Sequence, residues 1–458
     1  MKVPKSNTFF ELASMLSKIY RDEADNQAAA QTIKNLKPDQ QQAFFDYCKK
    51  WKVAPMLYIQ LKKEDLLHLF ETSVATQFEA IYSKVQQENE RRNTEAVKFL
   101  AEFNKQGIEV AILKGNLFIH TIHQDSGYKK MNDFDILIHA KDWPKVQAIY
   151  DTLGYIPLGF GWSGEKQKPA KFSHVGTSFI SANHHCIIGT QWGLKSPSSR
   201  YTLNIEEAWT DSLPFDFLGV PVKQLSPEYN LLHLIMHMGI YKCGIRDCMD
   251  VYNLLLAEKN WDEDKLVAIF EKTNALEKAY FTLILSNICS DAVDQSLLKR
   301  LIPKKNNYLI KRLKSRLRLY EKTGDFQDAY HDYFQKIEIN LFYFNIFPEF
   351  HKKAFFYGKI LRLIFWPKKD IVLRLSDLTP QHSRWEKLLA LKRAPRLVFS
   401  LIAEEIGWTF TLLLFFKLFF DLLLSLKNYI FKQESYFDYL KGRGISPQEI
   451  ESAVRNIE

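Results

Sequence analysis

The segment Asp133-Phe134-Asp135-Ile136-Leu137-Ile138 constrains this chain more than any other stretch. Its apolar, branched run reads as a short buried strand. Alternate strand residues point to the same side, so the carboxylates of Asp133 and Asp135 converge. Two like charges at the start of a buried strand are costly unless a cation neutralises them. Oxygen donors suit Mg²⁺, which suits nucleoside triphosphate chemistry. Two carboxylate-held metals can activate a nucleophile and steady a leaving pyrophosphate. A polar strand end with solvated aspartates has the same spacing, so the pair does not decide the matter alone.

A second apolar run, residues 108–113, follows Gly107, the first glycine of the chain. Lys114-Gly115 ends this strand and opens a helix predicted over 116–123. Glycine permits close backbone approach there, the helix start offers free N–H groups, and lysine adds a point charge. That composition fits a phosphate site, and it also fits an ordinary strand-to-helix turn. A turn is expected over 124–127. An amphipathic helix is expected over 143–153, closed by Gly154. Further strand with turns is expected over 181–192. Alternating strand and helix indicate a mixed α/β unit.

The flanks read differently. Residues 9–103 carry apolar positions at helical spacing, as in Phe44, Tyr47, Cys48 and Trp51, with a last helix predicted over 85–104. Core helices are expected again over 231–238 and 247–257. The fold class is therefore α+β, a small mixed-sheet core between N-terminal and C-terminal helical regions. The expected divisions are 1–104, 105–225, 226–345 and 346–458. The five cysteines are odd in number and irregularly spaced, which reads as reduced thiols in a cytoplasmic protein. Cys243 and Cys248 fall near His233 and His237, but no paired Cys-x-x-Cys knuckle supports zinc. His233 and His237 share a helical face and read as packing residues. Arg246, Asp247 and Asp250 read as a structural ion pair, with a role in closing a nucleotide cleft left open.

Taken together, the stretch 108–115, ending in Leu113-Lys114-Gly115, and Lys129-Lys130-Met131-Asn132-Asp133-Phe134-Asp135-Ile136-Leu137-Ile138 resemble a bacterial nucleotidyltransferase family of the DNA polymerase β superfold. The resemblance spans roughly residues 40–260, from Trp51-Lys52-Val53-Ala54-Pro55-Met56-Leu57 to the helices bearing His233, His237 and Asp247. It implies that Asp133 and Asp135 hold Mg²⁺ and act in catalysis. It also implies that Lys114, Gly115 and Lys129 bind nucleotide phosphate. Two departures stand out. Lys129 replaces the family's usual arginine, keeping the charge but losing the bidentate fork. Gly189-Thr190-Gln191-Trp192 stands where the family commonly has acid-Leu-His-Trp, so Gly189 replaces a third carboxylate unless Glu165 or His185 substitutes.

The last third is aromatic and basic. Residues 410–426 form the most apolar run, interrupted by Lys417, Asp421 and Ser425 on one helical stripe. Charges at its middle disfavour a membrane span. A buried helix, an interfacial helix and a spanning or dimerising helix all stay open, and residues 351–366 have a similar amphipathic character. The net charge of +9 favours acidic partners. Basic residues over 304–320 leave nucleic acid as a partner not excluded. The implied activity is transfer of a nucleoside monophosphate from an NTP to an unknown acceptor: a small molecule, a saccharide or a protein. A nucleotidyltransferase fold that lost its chemistry and serves as a scaffold, at the inner membrane surface or in the cytoplasm, is the alternative.

Overall fold

The computed structural model describes residues 8–158, 174–197, 199–238, 244–258, 260–291, 293–303, 308–324, 336–337, 340–341, 343–344, 350–368, 371–372, 383–406, 408–431, 440–446, 448–450 and 452. The chain divides into two compact units, one of residues 1–139 with 203–327 and one of residues 140–202 with 328–458.

The first unit opens with α1 (Thr8–Leu16), α2 (Glu23–Lys34), α3 (Pro38–Lys50), α4 (Ala54–Lys63) and α5 (Thr72–Lys105). The last of these starts well before the expected residue 85. Val74 and Phe78 extend its apolar stripe upstream, and Phe78 meets Phe45 edge-on at 4.9 Å. No glycine or proline interrupts its 34 residues, so nothing stops the helix from running through. Strand β1 (Val110–Ile112) follows, then α6 (Lys114–Thr121) and β2 (Phe134–Ile138). Every side chain of β1 and β2 is buried, as expected of strands covered on both faces.

A hairpin not expected from the sequence, β6 (Leu213–Phe217) and β7 (Val220–Gln224), completes this sheet. Its two-residue turn puts Leu218 at φ 52° and Gly219 at φ 87°, the left-handed pair that tight hairpins need. Asp216 Oδ1 accepts from the Gly219 N–H at 2.9 Å. Pro214 and Pro221 had masked the alternation, since proline argues against a strand interior. The order is β2-β1-β7-β6. β1 runs antiparallel to β2 and parallel to β7, so the sheet is mixed. Phe99 and Phe217 clasp Phe134 edge-on at 5.7 and 5.4 Å, which seats α5 and the hairpin on the strand that carries the acidic pair.

Helices α8 (Ile205–Thr210), α9 (Pro227–His237), α10 (Ile245–Ala257), α11 (Glu263–Lys272), α12 (Leu276–Ser290), α13 (Gln295–Arg300) and α14 (Tyr308–Thr323) complete the unit. In α14 the Arg316 side chain is buried rather than offered to a nucleic acid, and Tyr320 packs on Phe10 at 5.8 Å.

The second unit holds α7 (Trp143–Thr152), which ends as expected with Gly154 at φ 74°. Strands β3 (Ile156–Pro157), β4 (Phe179–Ile180) and β5 (Ile187–Gln191) pair antiparallel in that order. Trp143 is fully buried against Trp192 at 5.6 Å, and Tyr150 Oη meets Thr190 Oγ1 at 3.0 Å. Among the described residues three long helices follow: α15 (Phe350–Phe365), α16 (Arg384–Ile406) and α17 (Trp408–Phe431). Near the end, Ser446 and Glu449 cap each other reciprocally at 3.0 and 3.1 Å, as the Ser-x-x-Glu spacing predicts.

Candidate active site

Leu113 is the hinge of the site. Its N–H donates to the Asp135 carbonyl at 3.1 Å, which locks the end of β1 to β2. The chain then turns into α6 through Lys114, whose φ is +55°. That conformation costs a non-glycine residue about 1–3 kcal/mol and persists only where its surroundings impose it. Here the Lys114 ammonium reaches back to Asp135 Oδ2 at 2.8 Å. Asp135 is 6% exposed, so this charge-assisted bond lies in a shielded environment. Asp133 sits one residue before β2 and is half-buried. Its carbonyl accepts from Asn116 Nδ2 at 2.9 Å, tying the start of β2 to the first turn of α6. Gly115 is buried, and a Cβ there would press on the Met131 thioether. Its smallness thus serves the approach of α6 to the loop before β2.

That loop, residues 122–132, is pinned from the side. Asn89 of α5 donates to the Ser126 and Lys129 carbonyls at 2.6 and 2.8 Å, and Arg92 donates to Asn89 Oδ1 at 2.5 Å. Tyr82 Oη donates to the Asp125 carboxylate at 3.1 Å, and the Gly127 N–H donates to the same group at 2.7 Å. A Cβ on Gly127 would fall inside the Tyr82 ring. Gly127→Ala is therefore expected to cost about 1–3 kcal/mol by overpacking. Denaturant midpoints check this, with the loss relieved when Tyr82 is truncated as well.

Sequence reasoning missed Asn89, Arg92 and Asn116 as organisers of this loop. The signal was present: Asn89, Arg92 and Asn93 continue the helical face marked by Val85, Ala96 and Phe99, and all six are buried. Polar residues on a core face need partners.

Lys129 is carried into the interior and forms an ion pair with Asp250 of α10. Burial pushes the Lys129 ammonium down and the Asp250 carboxyl up from their ordinary ranges, each opposed by the other's charge. Arg246 adds positive field at Lys129. The neighbouring Lys130 is lowered by burial, with Lys84, Arg92 and Arg246 repelling its charge and Glu88 supporting it. Cations from α5, the loop and α10 thus converge around Lys130, three residues before Asp133. Asp247 serves the α10 N-terminus, accepting from the Gly244 N–H at 3.0 Å.

His123 stacks on Tyr128 at 3.9 Å, and its two ring nitrogens are sealed from solvent without hydrogen-bond partners. Burial, with help from the Lys129 charge, holds it well below the usual histidine range. The unfolded chain therefore binds a proton near pH 6.5 that the folded chain refuses. Stability is lost as pH falls below that value, by up to about 1.4 kcal/mol per unit. His123→Phe should flatten the stability difference measured between pH 7.5 and 5.5.

Among the other expected residues, Gly189 lies within β5, and His185 is exposed in the turn before it. Glu165 and Cys243 lie outside the described residues. His233 and Cys248 are buried in α9 and α10. Among the described residues, no group of three or more His, Cys, Asp or Glu side chains is arranged to hold a metal ion. A cavity of about 650 Å³ in the first unit is lined by Glu90, Asn93, His120, Asp125 and Ser126, and does not include the aspartate pair.

No curated protein and no solved structure matches the chain significantly. The family model described as an uncharacterised nucleotidyltransferase matches residues 37–290, a span that contains α5, the sheet of the first unit, Lys114, both aspartates and the Lys129–Asp250 pair. With more than half of its 458 residues inside that match, the chain belongs to this nucleotidyltransferase family.

Proposed function

We propose that the chain transfers a nucleoside monophosphate from an NTP to an acceptor, with Asp133 and Asp135 at the reacting centre. The observation that carries the reading is the Lys114–Asp135 contact at a strained strand-to-helix turn, with a second aspartate, Asp133, two residues away at the entry to β2. Strain of this kind is concentrated at functional turns. In this reading the acceptor nucleophile bonds to the α-phosphorus while the bond to the bridging oxygen breaks, and pyrophosphate leaves with that electron pair. Lys114 and the free N–H groups at the start of α6 hold phosphate oxygens. Lys130 and Arg246, close enough to feel each other's charge, would neutralise the outer phosphates. The work done by the protein is positioning and charge neutralisation.

Asp133 and Asp135 would hold Mg²⁺. The donor set fits that ion, because carboxylate oxygens are its preferred protein ligands and one or two suffice when phosphates and water supply the rest. Mg²⁺, when bound, would screen the triphosphate and polarise the phosphoryl oxygens. Lys129, anchored on Asp250, holds the loop rather than reaching for phosphate in this conformation. Release of pyrophosphate from a panel of NTPs and hydroxyl acceptors tests the reading. Asp133→Ala should abolish release with an unchanged melting temperature, and unaltered release would sink the assignment.

A second reading is favoured by Gly189, which leaves the family's third carboxylate position empty of acid. The chain would then bind nucleotide without turning it over. Aspartate-dependent NTP binding with no pyrophosphate release under any acceptor would select this version.

A further inference from the structure

The strongest unexplained feature outside the site is α17, which is built inside out. Its polar stripe, Thr411, Lys417, Asp421 and Ser425, faces its neighbours. Thr411 is 0% and Ser425 5% exposed, and Lys417 and Asp421 are half-buried and paired at 4.0 Å. From α15, the Lys353 ammonium joins them, donating to the Phe344 carbonyl at 2.8 Å, and burial lowers it to about 8. The opposite face is apolar and open: Leu412, Phe416, Phe419, Phe420, Leu423 and Leu424 are all exposed, Phe416 by 61% and Phe420 by 58%. A helix in water carries the reverse pattern. Soluble monomers rarely expose contiguous apolar patches beyond a few hundred Å², and this one runs from Leu412 to Leu424, about three and a half turns of helix.

The surroundings indicate what covers it. Residues 351–432 contain fifteen Lys and Arg against six Asp and Glu, a net of +9 that equals the charge of the entire chain. The packed neighbours α15 and α16 present Lys359, Arg362, Lys392, Arg393 and Arg396 to solvent, with Trp366 and Trp385 exposed by 74% and 76%. Trp408 opens the apolar face and Lys427 follows it, both exposed. Aromatic and cationic residues at the edge of an apolar face are the pattern of interfacial anchors. A second copy of the chain would bring another +9 segment against the first, whereas acidic headgroups neutralise it. Among the described residues no helix is long and apolar enough to cross a membrane.

We propose that the outward face of α17 docks on an anionic lipid bilayer, lying in its interfacial plane, with the cations of α15 and α16 on the headgroups. The inference does not depend on the nucleotide site.

The test is flotation of the full chain with vesicles of phosphatidylcholine alone and of phosphatidylcholine containing roughly one-third phosphatidylglycerol. The wild type should float with the anionic vesicles and little with the neutral ones. Phe416→Glu with Phe420→Glu, both at exposed positions, should lower partition at least about tenfold with unchanged circular dichroism and melting. Lys392→Glu with Arg396→Glu should remove the preference for anionic vesicles. The proposal is overturned by a wild type that stays unbound. It is equally overturned if the Phe416→Glu, Phe420→Glu protein floats undiminished, or if the wild type is a dimer that those changes split and that ignores vesicles. NTP binding measured on the same proteins should be unaltered, which separates failure here from failure of the nucleotide reading.

Discussion

Lys129→Met is expected to lower stability by about 3–5 kcal/mol, because it leaves the Asp250 carboxylate buried without its counter-charge. Asp250 Oδ1 already lacks a hydrogen-bond partner, so nothing nearby compensates. The loss acts on more than one element. Asn89 holds the Lys129 carbonyl, and the next three residues lead into Asp133. Replacing both partners with apolar residues, Lys129→Met with Asp250→Leu, should recover most of the loss, since a buried ion pair is often no better than a well-packed apolar pair. Chemical denaturation of the wild type, the single and the double variant reads this directly. A single-variant loss below about 1 kcal/mol would mean that the pair is solvated in solution.

The second large effect is on turnover. Asp135→Asn keeps the shape of the side chain and can still accept from Lys114 at the 2.8 Å position, so the strand should hold. On the proposed role, the charge that would steady a divalent cation is lost, and pyrophosphate release should fall about 10²-fold or more. Asp133→Asn, at the more open position, should do the same. Parallel loss in both variants with intact melting curves identifies a shared cation site. Loss in Asp135→Asn alone, accompanied by a lower melting temperature, would assign Asp135 to structure through Lys114.

The strands and helix that carry the candidate site were legible in the sequence because local rules and long-range packing agree there. The apolar runs before Lys114-Gly115 and after Asp133 contain strands β1 and β2 in the folded chain, and the predicted helix forms as Lys114–Thr121, entered through the left-handed backbone of Lys114. The β6–β7 hairpin was hidden by two prolines, and only the Gly219 turn betrays it. The start of α5 was hidden for a different reason: its first turns follow the short helical turn Leu67–Leu69, and their apolar positions, Val74 and Phe78, are sparse. The destination of Lys129 was beyond reach. Charge at a turn reads as exposed, and only the long-range approach of α10 reveals Asp250 as its partner. The compact unit that joins residues 140–202 with 328–458 is likewise a product of long-range packing, which periodicity along the chain does not encode. Asn89 shows the reverse case: its position on the apolar face of α5 was readable, but its two carbonyl partners lie some forty residues downstream.

The central claim is that Lys114, Asp133 and Asp135 form one nucleotide site, and titration calorimetry of NTP binding tests it most directly. The wild type should bind NTP in Mg²⁺ and lose that binding in chelator. The Asp133→Asn, Asp135→Asn double variant should fail to bind in either condition while remaining folded. Binding that persists in the double variant, or that ignores Mg²⁺, would contradict the account and place the nucleotide elsewhere on the chain.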